Sequence, residues 1–290
     1  MPRGIREKSR EVSHSLGCMM DWFDELIISE GPPYWSLGVR HVDNEEWLVN
    51  PSDLEIRLAE KRRLWKVSPS AVYAKHESAT PSAAVEHLEL WISTHFPSRR
   101  LSERFEPSLE WMAQNTAEDL ILLERQSDGW VVTEGSLSFG FSWSIEEKIG
   151  LPMDSVHQPV AHYQNEIAEK VNQLFDRMPE GRTIARRNLG LTDSPELHLA
   201  PDRVRNTGVI NDPGQEIYLR SERQTLRKIG AHMLFTIHSE VAPLALTATY
   251  PALRKGLTLW IRSWDEKMLA YKNSADRTRL PALEWLAAQE

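Results

Sequence analysis

The side chains best equipped for chemistry fall in three short stretches. In SVHQPVAHY (155–163), His157 stands two residues before Pro159. In RRN (186–188) two arginines precede an amide, and in LRSERQTLR (219–227) Arg220 and Glu222 are followed by Arg223 and Arg227. Histidine ligates metals and moves protons near neutral pH, although most histidines outside such sites are structural. Guanidinium is always charged and offers paired donors, so it suits a carboxylate or a bound oxygen species. Residues two apart on a strand share a face, which sets Arg220 with Glu222. By residue type alone, these stretches fit a ligand site and equally a capped loop beside a salt-bridged strand end.

Other chemistries lack their motifs. There is no phosphate loop, no G-x-G-x-x-G and no H-E-x-x-H. His157, His162 and Glu166 can be drawn as two histidines and a carboxylate around iron, but a five-residue step leaves the shared face of a helix. One cysteine, Cys18, excludes an intrachain disulfide, a cysteine zinc site or an iron–sulfur cluster held by this chain alone, and fits a reducing compartment. A formal charge of −8 speaks against a general nucleic-acid binder and gives no support for an anionic membrane surface. The N-terminus has no apolar run of a secretory signal, and VAPLALTATYPAL (241–253) is too short to span a bilayer. The expectation is a cytoplasmic protein.

The elements that must position these residues read as α+β. Residues 1–45 look like an irregular extension. NPSDLEIRLAEKRRLW (50–65) predicts a helix capped by Ser52 or Asp53, and SAAVEHLELWISTHF carries Val85, Leu88, Trp91, Ile92 and His95 on one face. TAEDLILLE (116–124) fits a helix or a buried strand. SLSFGFSW (136–143) alternates large and small residues and predicts a strand whose small face admits a flat layer, a helix or a planar cofactor; Ser144 and Glu147 then form a capping box that Gly150 ends. A helix with Ile167, Val171, Leu174, Phe175 and Met178 on one stripe follows. Strands are predicted at 183–191, 216–222 and 231–240, then a long helix with Leu253, Leu257, Trp260, Trp264 and Met268, and a docked helix or loose tail over 273–290. Eleven tryptophans point to a core or pocket built from large flat side chains.

Taken in order, AEDLILL (117–123), SFGFSWSIEEKIGLPMDSVHQPV (138–160), RRNLGLTDSPELHL (186–199) and LRSERQTLRKIGAHMLFTIHSEVAPL (219–244) resemble the α subunit of haem-dependent oxidative N-demethylases over about residues 46–272. That resemblance implies a PAS-like antiparallel sheet with flanking helices as a haem-binding catalytic domain at 46–272, between the extension and a C-terminal tail. It implies haem b with His157 as the axial iron ligand, its loop fixed by Pro159 and its other ring N–H given to an acceptor. It also implies catalytic roles for Arg223, on the distal side to stabilise dioxygen or orient substrate, and for Glu222. Arg187, Asn188 and Arg220 become candidates for cofactor binding. The family commonly has tryptophan where this chain has Leu189; if that side chain faces the pocket, it leaves room for something larger than a simple methylated amine.

The implied activity is a haem-dependent monooxygenase that uses O2 to oxidise an amine, by N-oxygenation of a primary amine such as an amino-acid side chain or by oxidative N-demethylation. Electrons would come from a separate flavin-type reductase, since no flavin or nicotinamide motif is present. A haem-based PAS sensor without turnover is the reading from another class.

Overall fold

The structure is a computed structural model that describes residues 22–23, 39–80, 83–97, 108–127, 129–160, 168–204, 206–272 and 275–289. Its centre is a seven-stranded antiparallel sheet in the order β1-β5-β6-β7-β3-β4-β2. The strands are β1 (Arg40–Val42), β2 (Tyr73–Lys75), β3 (Asp119–Gln126), β4 (Gly129–Ser136), β5 (Thr183–Thr192), β6 (Tyr218–Ile229) and β7 (His232–Pro243). The helices are α1 (Leu54–Val67), α2 (Pro69–Val72), α3 (Ala83–His95), α4 (Leu109–Ala113), α5 (Met153–Val156), α6 (Ala168–Arg177), α7 (Pro213–Glu216), α8 (Pro251–Arg262), α9 (Glu266–Tyr271) and α10 (Ala275–Ala288). The α+β expectation holds, and the sheet carries an apolar layer on each face.

Alternation of side chains along β5, β6 and β7 divides the apolar residues between those layers. Ile184, Leu226 and Ile237 join Trp130, Val132, Phe175 and the turn around Met153 and Val156 on one face. On the other face Leu234 and Ile229 pack with Trp47 and α3. Leu191, Leu219 and Ala242 pack with α8, α9 and α10. Trp22 and Phe23, inside the segment read as an irregular extension, are buried in that last layer, and Val42 of β1 is buried where it pairs β5. The N-terminal segment therefore supplies core.

Several elements depart from the sequence reading. TAEDLILLE resolves as β3, paired on both sides and buried for most of its length. SLSFGFSW is not a strand. Backbone pairing of β4 ends at Ser136, and the next amides turn elsewhere: Leu137 N donates to Val72 O, while Ser138 N and Phe139 N donate to the Asp119 carboxylate at 2.9 and 2.8 Å. Ser142 then takes φ 62°, a left-handed conformation that no continuing strand accommodates. Ser138 and Gly140, two residues of the expected small face, are as buried as Phe139. Ser144 N does reach Glu147 at 3.5 Å, but only turns follow, up to Gly150 at φ 77°. Asp53 occupies the cap position of α1, yet its carboxylate takes Arg57 Nε at 2.7 Å and caps no backbone amide.

The long C-terminal helix breaks at Ser263, and Asp265 starts α9 by accepting from Met268 N at 2.9 Å. Its stripe of Leu253, Leu257, Trp260, Trp264 and Met268 is core as expected, and residues 275–288 form a docked helix. Ile167, His162, Glu166 and Cys18 lie outside the described residues. Among the described residues no helix is long and apolar enough to cross a membrane.

One close approach tests the packing directly. A Cβ added at Gly190 of β5 would meet the Phe141 ring at 2.5 Å. Phe141 in turn lies under the Arg220 guanidinium, 5.0 Å from the ring centroid. Gly190→Ala is expected to destabilise the protein by about 1–3 kcal/mol, because it overpacks a filled site. The measurement is a chemical unfolding curve; an unchanged midpoint would show that Phe141 yields freely.

Candidate functional site

His157 is positioned by a loop tied to β4. Gly150 N donates to Val132 O at 2.8 Å, Val132 N donates to Leu151 O at 3.1 Å, and Pro152 bridges Val131 before opening the single turn of α5. His157 follows that turn. Its Nδ1 lies 3.0 Å from Met153 O. A carbonyl only accepts, so Nδ1 carries the proton and Nε2 is the lone-pair nitrogen of the neutral ring. Burial first lowers the pKa of His157, and the charges of Arg186 and Lys148 add to it, against the Met153 hydrogen bond and Asp154. Both effects keep the ring in the neutral form that a metal requires.

The strands opposite provide the rest. In the register of β5 with β6, Arg186 faces Gln224 and Asn188 faces Glu222, so these four share the face that receives α5. Glu222 is their hub. Asn188 Nδ2 donates to Glu222 Oε2 at 3.3 Å and Gln224 Nε2 at 3.1 Å, and Arg220 Nε stands 3.6 Å from Oε1. Arg220 is almost fully buried and donates to Leu197 O and Phe139 O at 2.8 and 2.5 Å. It therefore braces the loop after β4 as well as Glu222.

The end of α9 completes the cluster from the edge of β5. Lys272 Nζ donates to Leu189 O at 2.8 Å. Burial pulls Lys272 down to about 8, with Glu222 raising it and Arg186 lowering it. The Tyr271 phenol is pushed up by burial and by Glu222, with Arg186 opposing. Arg186 was read only as part of RRN, with no role of its own, and Tyr271 and Lys272 were not singled out from the sequence. Parity along β5 selects Arg186, since it shares a face with Asn188, whereas Arg187 points the other way. Nothing local marks Tyr271 and Lys272, which reach the site across some eighty residues of chain.

Arg223 and Arg187, the other two arginines named from the sequence, sit elsewhere on the sheet. Both lie on the sheet face opposite Glu222, because their positions in the strands have the other parity. Arg223 donates to Trp47 O at 3.0 Å and Glu46 O at 2.5 Å, anchoring the N-terminal segment. Arg187 donates to Glu240 and Ser221 at 2.8 and 3.1 Å. Neither joins the His157 cluster. Leu189 also faces that way, against the core of α8, α9 and α10, so it opens no room beside Glu222.

His238 stands directly across from Arg223 in that opposite layer. Burial first, then Arg57, Arg187, Arg223 and Lys61, push its pKa well below the ordinary 6.5, and its Nδ1 has no hydrogen-bond partner. Unfolding lets it bind a proton that the folded ring refuses. Above pH 6.5 this costs nothing; below it, folding stability falls by about 1.4 kcal/mol per pH unit until the folded pKa is reached. Unfolding curves between pH 7 and 5 are expected to show that slope, and His238→Leu is expected to reduce it. An equal slope in the variant would place the sensitivity elsewhere.

A surface cleft of about 320 Å³, lined by Trp130, Pro152, Met153, Asp154, Asn172 and Asp176 among others, lies on the outer side of α5 and does not include the Glu222 cluster. Among the described residues no three histidine, cysteine, aspartate or glutamate side chains gather as a cluster for a bare metal ion. The donor set fits haem instead: one neutral imidazole with an oriented N–H, and a guanidinium, Arg186, whose buried Nε has no partner.

No curated protein matches the chain. A sequence model does, over residues 95–279, more than half of the length, and its span takes in His157, Arg186, Glu222 and Lys272; the chain belongs to the haem-dependent oxidative N-demethylase, alpha subunit-like family.

Proposed function

We propose that the protein is a haem-dependent monooxygenase that oxidises an amine with O2, by N-oxygenation of a primary amine or by oxidative N-demethylation. The observation that carries this reading is that the turn bearing His157 packs on the same face of the sheet that Glu222 shares. One is a neutral imidazole held by Met153 O, the other a buried carboxylate held by two amides. The PAS-like reading is supported by an antiparallel sheet whose β3–β4 hairpin sits beside the last strand, β7, with helical connections crossing one face.

When bound, haem b supplies the oxygen chemistry, with electrons from outside the chain. The residues of the chain do the rest. His157 Nε2 would hold the iron, and the Met153 carbonyl fixes the ring. The Glu222 carboxylate accepts an N–H of the amine, orienting its nitrogen and receiving the proton it must lose before oxidation. Asn188 and Gln224 keep that carboxylate turned toward the site. Lys272, which burial pulls down to about 8, adds a cation whose charge Glu222 favours. Electrons are assigned to a separate flavin-type reductase, and the working compartment to the cytoplasm.

The test is turnover by the haem-loaded protein with O2, a chemical or flavin reductase electron source, and a panel of primary and N-methylated amines. Formaldehyde marks demethylation, and hydroxylamine, oxime or nitro products mark N-oxygenation. Gas binding without product across the panel would favour a sensor and overturn the oxygenase reading. Glu222→Gln is expected to lower turnover by about 100-fold or more while the haem spectrum stays unchanged. Full activity in that variant would remove Glu222 from the chemistry.

A further inference from the structure

The Glu222 cluster contains one donor too many. Asn188 and Gln224 both spend their amides on Glu222 Oε2, and Arg220 approaches Oε1. Arg186 shares this face but takes no part: its Nε is buried with no hydrogen-bond partner, and among the described residues its guanidinium has no ion pair. Glu222 is near enough to interact electrostatically with Arg186, yet the two do not close into a salt bridge. Taking a guanidinium out of water without an anion is costly, so an arginine in this position is normally met by one. Its planar fork matches a carboxylate bidentately. Tyr271, partly exposed at the end of α9, is near enough to interact electrostatically with both Arg186 and Glu222.

We infer that Arg186, with Tyr271 beside it, binds a carboxylate presented to the His157 face. This rests on the haem reading above and extends it. The carboxylate has two possible sources: a propionate side chain of haem, or the α-carboxylate of an amino-acid substrate whose side-chain amine reaches Glu222. The chemistry is the same, and the two sources separate by experiment.

The full chain, wild type and Arg186→Gln, is loaded with haem or with haem dimethyl ester, and transfer of each to excess apomyoglobin is timed. If Arg186 holds a propionate, the variant loses haem at least tenfold faster, and the ester leaves wild type and variant equally fast. If it holds substrate, haem transfer is unchanged, but the apparent Kd for L-lysine, read as a visible spectral shift, rises at least tenfold. The Kd for pentane-1,5-diamine, which lacks the carboxylate, does not move. Either pattern supports the site. No change in haem transfer, ester transfer or lysine binding overturns it. Should Arg186→Gln not fold, Arg186→Lys, which keeps the charge and loses the fork, carries the same comparison. Wild-type protein that takes up no haem defeats the haem reading, and calorimetric titration of L-lysine against pentane-1,5-diamine still decides the carboxylate site.

Discussion

His157→Ala, purified with haem supplied, is expected to lose the stoichiometric haem spectrum that wild type shows, with affinity reduced by more than about 100-fold. The estimate takes as its floor the 10–100-fold that altering a ligand's supporting partner costs; removing the ligand itself exceeds it. The fold should survive. His157 is half-buried, its Nδ1 bonds to the turn before it, and the loop is held to β4 by Gly150, Leu151 and Pro152, none of which the substitution touches. Losing that local bond costs about 1 kcal/mol. The pairing of an intact unfolding transition with a lost spectrum is therefore the diagnostic result. A variant that keeps the wild-type spectrum would place the iron ligand elsewhere and take the functional proposal with it.

Asp119→Ala should produce the largest loss of stability. Asp119 and Lys61 are both fully buried, with Lys61 Nζ 3.3 Å from Asp119 Oδ1. Lys61 also donates to Ala113 O and Glu118 O at 3.2 and 2.5 Å, and Asp119 accepts from Ser138 N and Phe139 N. Burial lowers the Lys61 pKa, and the Asp119 and Glu118 carboxylates oppose it. Removing Asp119 strands a buried ammonium and two backbone amides, a change expected to cost about 3–5 kcal/mol. Lys61→Met should cost a similar amount alone, and the double variant Lys61→Met with Asp119→Ala less than the sum, because the second change removes the charge the first left unpaired. Chemical unfolding of the three variants checks this. Strict additivity would show that the pair does not act as a unit. The effect should also reach the site, since Phe139 O, held in place by Asp119, is a partner of Arg220 beside Glu222.

Period-two alternation was sufficient to locate β5 and β7, and helical spacing to locate α1, α3 and α6, because each of these buries one face against a neighbouring layer. The same rule failed at SLSFGFSW. Its alternation is genuine, but a carboxylate from β3 takes the amides that would have continued the ladder, and Leu137, Ser138, Phe139 and Gly140 are all buried while Ser142 stays exposed. GWVVTEGS, the actual β4, is buried on both faces and shows no alternation to detect. The end of β6 was missed for a related reason, since Arg223 and Arg227 read as a charged strand end and are in fact buried by partners distant in sequence.

The sequence alone supplied the candidates: a histidine beside a proline turn, arginines, an amide and a glutamate on two strands, and a likeness that names haem. Side-chain identity and local spacing carry that much. Only the tertiary structure decided which of them meet. Parity within paired strands sets Arg186, Asn188 and Glu222 on the face toward α5 and turns Arg187, Arg223 and Leu189 to the far face. The packing of α9 against the open edge of β5 brings in Tyr271 and Lys272. A one-residue step along a strand reverses the side a residue serves, and which side becomes the site depends on layers contributed by remote parts of the chain.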